Sequence, residues 1–133
     1  MGLRAVRCLI VDDSADFRDA ACAMLTRAGV DVVAVAANSV DALRCSREME
    51  PDVVLVDVDL GGESGFDLAE ELDRSQAQAP AVILVSTYAE QDLAEMIAVS
   101  PAIGFVSKIS LSAAAIRDLL DTARGPLRET PGR

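Results

Sequence analysis

Histidine is absent from the 133 residues of this chain. That excludes imidazole catalysis and a phosphohistidine of the protein's own. Aromatic residues are almost as scarce at 3%, one tyrosine and three phenylalanines, so aliphatic side chains must fill the core. Three cysteines are too few and too irregular for a metal centre or a paired disulfide framework. Cys8 falls in a strand-like run and Cys22 and Cys45 in helical stretches, and all three read as buried or half-buried reduced thiols. Positive charge is also short, with 12 Lys and Arg against 22 Asp and Glu and a net charge of −10. That balance disfavours direct binding to nucleic acid or an anionic membrane, and most of it reads as a solvated acidic surface. No apolar stretch approaches the length of a membrane span. Met1 to Arg7 lacks the long apolar segment of a signal peptide, so the expectation is a cytoplasmic protein with no membrane partner.

What is present is a hydrophobic fraction of 51%, mostly Ala, Val and Leu. That is too much for disorder, and the length suits one domain able to bury roughly two-thirds of its unfolded surface. Short apolar runs at residues 6–11, 30–36, 53–57, 81–86 and 103–107 alternate with helical patterns. Their near-continuous apolar character fits strands covered on both faces, as in a parallel sheet. Phe17, Ala20, Ala21, Met24, Leu25 and Ala28 recur at helical spacing, with Ser14 as N-cap and Gly29 as stop. Leu111, Ala115, Ile116, Leu119, Leu120 and Ala123 form a second stripe. Weaker patterns place helices from Ser39 to Met49, after Ser64, and around Leu93, Met96 and Ile97 before Pro101. The domain is expected to span residues 1–124, with residues 125–133 a linker or disordered tail.

Five β-α units predict an α/β, flavodoxin-like, doubly wound (βα)5 three-layer sandwich with parallel sheet order 2-1-3-4-5. Its ligand crevice lies between strands 1 and 3. A polar station follows each of four runs: Asp12-Asp13, Asp57, Ser86-Thr87 and Lys108. In that topology all four reach one edge of the sheet, and the carboxylates fall at the crevice. Taken singly, the acidic pair would serve as a turn or helix cap, Lys108 as a surface lysine, and Ser86 and Thr87 as loop residues bonding nearby backbone. Together they make a pocket that packing does not call for.

With those segments in view, namely Leu9-Ile10-Val11-Asp12-Asp13, Leu55-Val56-Asp57-Val58-Asp59-Leu60, Gly61-Gly62-Glu63-Ser64-Gly65-Phe66, Val85-Ser86-Thr87-Tyr88 and Gly104-Phe105-Val106-Ser107-Lys108, the chain resembles a response-regulator receiver domain of two-component signalling. The likeness runs from about Val6 to Ala123. It implies that Asp57 takes a phosphoryl group from a histidine kinase as an acyl phosphate. Crowding Asp57 beside Asp12 and Asp13 costs about 4 kcal/mol per like-charged pair at about 4 Å and intermediate dielectric, which a hard cation offsets. The implied cofactor is Mg²⁺, held by Asp13, Asp57 and the backbone carbonyl of Asp59, with Asp12 acting through a metal-bound water. Lys108 pairs with Asp57 and then with a phosphoryl oxygen, Ser86 donates to another, and Phe105 is the switch aromatic on strand 5. Gly61, Gly62 and Gly65 read as turn and close-approach residues rather than a phosphate cradle.

Ile109 stands where many receivers carry proline after the lysine, so a trans bond is expected there. Lysine without proline is similar to receivers joined to a helix-turn-helix DNA-binding domain, an implied output partner alongside a possible homodimer. Asp59 and Tyr88 flank the site, and Tyr88 is expected to shield the acyl phosphate. Three rivals stand beside this reading. A haloacid-dehalogenase-type phosphatase shares Asp57-Val58-Asp59, but places its acidic metal pair after the lysine. A flavodoxin-type carrier would not put Asp12-Asp13 against a flavin phosphate. A receiver-like binding module acting without phosphate remains.

Overall fold

The computed structural model describes residues 5–129. Five strands, β1 (Arg7–Val11), β2 (Asp31–Ala36), β3 (Val53–Asp57), β4 (Ala81–Ser86) and β5 (Gly104–Ser107), form one parallel sheet in the order β2-β1-β3-β4-β5. Between and after them run α1 (Ala15–Arg27), α2 (Ser39–Met49), α3 (Gly65–Arg74), α4 (Ala94–Val99) and α5 (Ala113–Glu129). The expected sheet order and strand positions hold. A 3₁₀ turn, Glu90–Leu93, leads into α4, and another, Lys108–Ser110, separates β5 from α5.

The central strands are buried on both faces, which is why they read as continuous apolar runs rather than alternating ones. Successive side chains nevertheless divide between two cores. Cys8, Ile10, Val53, Leu55, Ile83 and Val85 pack with Leu25 of α1 and Ile116 and Leu120 of α5. Leu9, Val11, Val54, Val56, Val82 and Leu84 pack with Ala42 of α2 and Leu68, Ala69 and Leu72 of α3. The period of two in the strands thus sorts the helices into two layers. Phe105 is half-buried against the second core, as are Leu93 and Ile97.

Local chemistry sets the helix starts. Ser14 caps α1 by accepting from Phe17 N–H, Asn38 caps α2 by accepting from Asp41 N–H, and Ser64 caps α3 by accepting from Phe66 and Asp67 N–H. Pro101 follows the end of α4 as expected, and no cis peptide bond occurs among the described residues, so Lys108–Ile109 is trans.

One boundary differs. α5 continues through Gly125-Pro126 to Glu129, past the end expected at Arg124. Proline removes a single N–H and crowds the preceding turn, which kinks a helix as readily as it stops one. Of the expected tail, residues 130–133 lie outside the described residues.

Candidate functional site

Parallel strands in register bring their carboxyl ends to one edge. Val11 pairs with Val56, Asp57 with Val85, and Ser86 with Ser107, so Asp12, Asp57, Ser86 and Lys108 each stand at or one residue beyond a strand end. Asp12 is fully buried, Asp57 and Ser86 nearly so, while Asp13 faces solvent. Carboxylate oxygens of Asp12, Asp13 and Asp57 all lie within 4.8 Å of one another. Lys108 Nζ is 2.7 Å from Asp12 Oδ2 and 3.1 Å from Asp57 Oδ2.

The backbone around the carboxylates fixes them in place. Asp12 Oδ1 accepts from Ser14 N–H at 2.8 Å, and the Asp12 carbonyl accepts from the Arg18 guanidinium at 2.7 Å. Asp57 Oδ1 accepts from Asp59 N–H at 3.1 Å, while Oδ2 accepts from Lys108. Asp59 enters the neighbourhood through this N–H, its own carboxylate accepting instead from Gly61 N–H at 3.1 Å. Ser86 Oγ accepts from Tyr88 N–H at 2.9 Å, an arrangement that leaves the hydroxyl proton free to donate.

Electrostatics follow from burial. Desolvation pushes the Asp57 carboxyl up from 3.8 to about 6; the Asp59 N–H opposes this, the Asp12 charge adds to it, and Lys108 opposes it. For Lys108 burial works downward, but the Asp12 and Asp57 carboxylates outweigh it and hold the ammonium above the ordinary lysine value. Asp12 Oδ2 is enclosed, and although Lys108 Nζ is close, no donor meets it at a hydrogen-bonding angle. That contact is an ion pair without a directed bond. A buried carboxylate oxygen thus keeps an open lone pair beside two further carboxylates. An all-oxygen, multiply negative donor set of this kind fits a hard divalent cation such as Mg²⁺.

Gly61 and Gly65 make the turn and close approach expected of them, whereas Phe17 and Arg18 were not legible as site residues. A Cβ on Gly65 would overlap the Asp57 carbonyl, so only glycine lets α3 begin this close to the end of β3. Gly61, at φ 65, lies where a Cβ would come within 2.6 Å of Asp13 Oδ2. Phe17 and Arg18 read as helix residues, and both face the site, with Lys108 Nζ 4.4 Å from the centre of the Phe17 ring. The available signal was their place in the first turn of the helix that follows Asp12-Asp13.

Known proteins share this fold. Residues 8–121 match the family of the response regulator receiver domain. The chain belongs to that family. The receiver domain of the putative response regulator NarL from Mycobacterium tuberculosis is similar in structure, with a TM-score of 0.78, 29% identity, and coverage of 92% of this chain and 99% of that one. In sequence, the receiver is 39% identical over 87 residues to a protein-glutamate methylesterase/protein-glutamine glutaminase 5 of Myxococcus xanthus, covering 65% of this chain and 25% of that protein. It is 36% identical over 88 residues to the response regulator GacA of Pseudomonas aeruginosa, covering 65% of this chain and 40% of that protein. The receiver therefore spans a quarter to two-fifths of these relatives. No helix among the described residues is long and apolar enough to cross a membrane.

Proposed function

We propose that this receiver is a phospho-switch in which Asp57 accepts a phosphoryl group from a histidine kinase in a Mg²⁺-dependent reaction. The observation that carries the reading is the seat of Lys108 between Asp12 and Asp57, beside a buried carboxylate oxygen with no directed donor. An Asp57 oxygen forms the new P–O bond as the P–N bond of the donor breaks, and the electron pair leaves on the donor imidazole. Asp13, Asp57 and the Asp59 carbonyl would hold Mg²⁺, with Asp12 acting through a water, and the ion would supply neutralisation of phosphoryl charge. Lys108 balances the oxygen charge from the other side.

Ser86 supports the reading because its acceptor role toward Tyr88 N–H leaves its proton for a phosphoryl oxygen. Drawing Ser86 inward would pull the loop after β4, and Phe105, half-buried against the same core as Leu93 and Ile97, would respond by repacking. The surface formed by α4, β5 and α5 is then the output face, with Met96 and Val99 exposed on α4. That face, or α1 with α5, would serve self-association or contact with an output domain. We place the receiver in the cytoplasm with its kinase, and assign it transcriptional output through a helix-turn-helix domain. Lys108-Ile109 and the likeness to the NarL receiver favour that output, whereas the methylesterase likeness points to an enzymatic one.

The test is mass spectrometry after incubation with acetyl phosphate and Mg²⁺. One added phosphoryl group, absent in Asp57→Asn, is expected. No gain under any condition would favour a binding module that acts without phosphate. Steady turnover of phosphomonoesters would revive the phosphatase reading.

A further inference from the structure

Phe17 lies one turn beyond the Ser14 cap, and Ser14 Oγ accepts its backbone N–H at 3.2 Å. That bond fixes residue 17 beside the end of β1. The side chain is half-buried against the core shared by α1 and α5, and its ring lies under Lys108 Nζ at 4.4 Å. The ammonium therefore has three neighbours: Asp12, Asp57 and an aromatic face. Lys108 is the only lysine among the 133 residues, so no second lysine is at hand to replace it.

We propose that Phe17 is a positioning residue, whose ring seats the Lys108 ammonium while its hydrogen-bond partner changes from Asp57 to an incoming phosphoryl oxygen. The second half of this rests on the phosphoryl-accepting reading of Asp57. An ammonium carries three donors on a freely turning bond, and a carboxylate or carbonyl in the third place would hold one of them. A third carboxylate would also add charge to an already crowded cluster. A ring face attracts the cation through its quadrupole and claims no particular N–H. The ammonium can turn toward a new acceptor without leaving its place.

Leucine keeps most of the apolar contact of Phe17 but has no quadrupole, and tyrosine keeps both. Fluorinated phenylalanines placed site-specifically at residue 17 keep the shape while draining the ring face. Two measurements test the proposal. In the NMR spectrum the ε-methylene protons of the sole lysine should be shifted upfield by the ring, and Phe17→Leu should abolish that shift. Unshifted protons in the wild type overturn the seat. Phosphoryl uptake from acetyl phosphate with Mg²⁺ should have a maximal rate about fivefold lower in Phe17→Leu, with little change in donor KM. Phe17→Tyr should restore it, and mono-, di- and trifluorophenylalanine should lower it stepwise. Rates equal across the fluorinated series overturn the proposal even if Phe17→Leu is poorly folded. If the wild type takes up no phosphoryl group at all, the reading of Asp57 and the partner change fall together, while the lysine resonance still decides the seat.

Discussion

Replacing Asp57 with asparagine keeps the shape of the neutral acid and removes a charge from a nearly closed site beside Asp12. In the metal-free protein, burial holds the Asp57 carboxyl at about 6 against 3.8 for the ordinary group. A raised folded-state value means the native protein binds this proton more tightly than the unfolded chain does. Between about pH 4 and 6 the native state therefore carries the extra proton. Stability falls as pH rises through that window, and the loss is complete above it. The difference corresponds to about 3 kcal/mol, already net of the Lys108 bond, and is an upper figure because relaxation and water at the rim of the site reduce the cost of burying the charge. Asp57→Asn should thus be more stable than the wild type by about 1–3 kcal/mol at pH 7.5 in chelator, and nearly equal to it at pH 4. Urea unfolding followed by far-ultraviolet circular dichroism reads this directly, since the protein has no tryptophan to report. An Asp57→Asn protein equal to or weaker than the wild type at pH 7.5 would refute the reasoning. So would a stability gap that does not change with pH.

Mg²⁺ should stabilise the wild type by about 1.4 kcal/mol at about ten times its dissociation constant, and much less in Asp13→Asn, measured by thermal unfolding across a Mg²⁺ series. Gly61→Ala should weaken Mg²⁺ binding severalfold, since its new Cβ would meet Asp13 Oδ2 at 2.6 Å; titration calorimetry checks this. Burial raises the Cys8 thiol to about 12, so a thiol reagent at pH 8 should label Cys22 and Cys45 in the native protein and reach Cys8 only after denaturation. Tyr88 is 57% exposed at the rim, and Tyr88→Ala should speed loss of the acyl phosphate if the ring shields it; an unchanged or slower hydrolysis rate would count against shielding.

The parts of this receiver that the sequence displays are those governed by period and by strand ends. Val53 to Val56 is apolar because both faces are covered, and Asp57, itself still buried, is the first polar residue and closes the strand. A parallel sheet places every such stop on one edge, so linear order alone located Asp12, Asp57, Ser86 and Lys108. Contacts made across the chain by residues with a sufficient local explanation stayed hidden. Phe17 fits the apolar stripe of α1, and nothing in spacing says that its ring also meets Lys108, 91 positions away. Gly65 is legible as a close-approach residue, whereas the Asp57 carbonyl that it approaches is not. The end of α5 was misjudged for a different reason, since Gly125-Pro126 is a local signal that the backbone passes through.

Stability and reactivity pull against each other at this edge. Asp12 and Asp57 are held together by strands whose buried side chains leave them no room to separate, so the repulsion is a property of the fold rather than of a flexible loop. Lys108 relieves part of it, yet the Asp57 carboxyl still sits about 2 pKa units above its ordinary value. A cation that shares the charge of Asp57 releases part of that cost and gains the difference as binding energy. On the proposed function, the same residues that make the metal-free fold less stable above pH 6 would favour binding of a divalent cation. Any substitution that relaxes the cluster should trade one for the other, more stability for weaker Mg²⁺ binding. Asp57→Asn and Asp13→Asn, each measured with and without Mg²⁺, would break this coupling if either gained stability while binding the ion as tightly as the wild type.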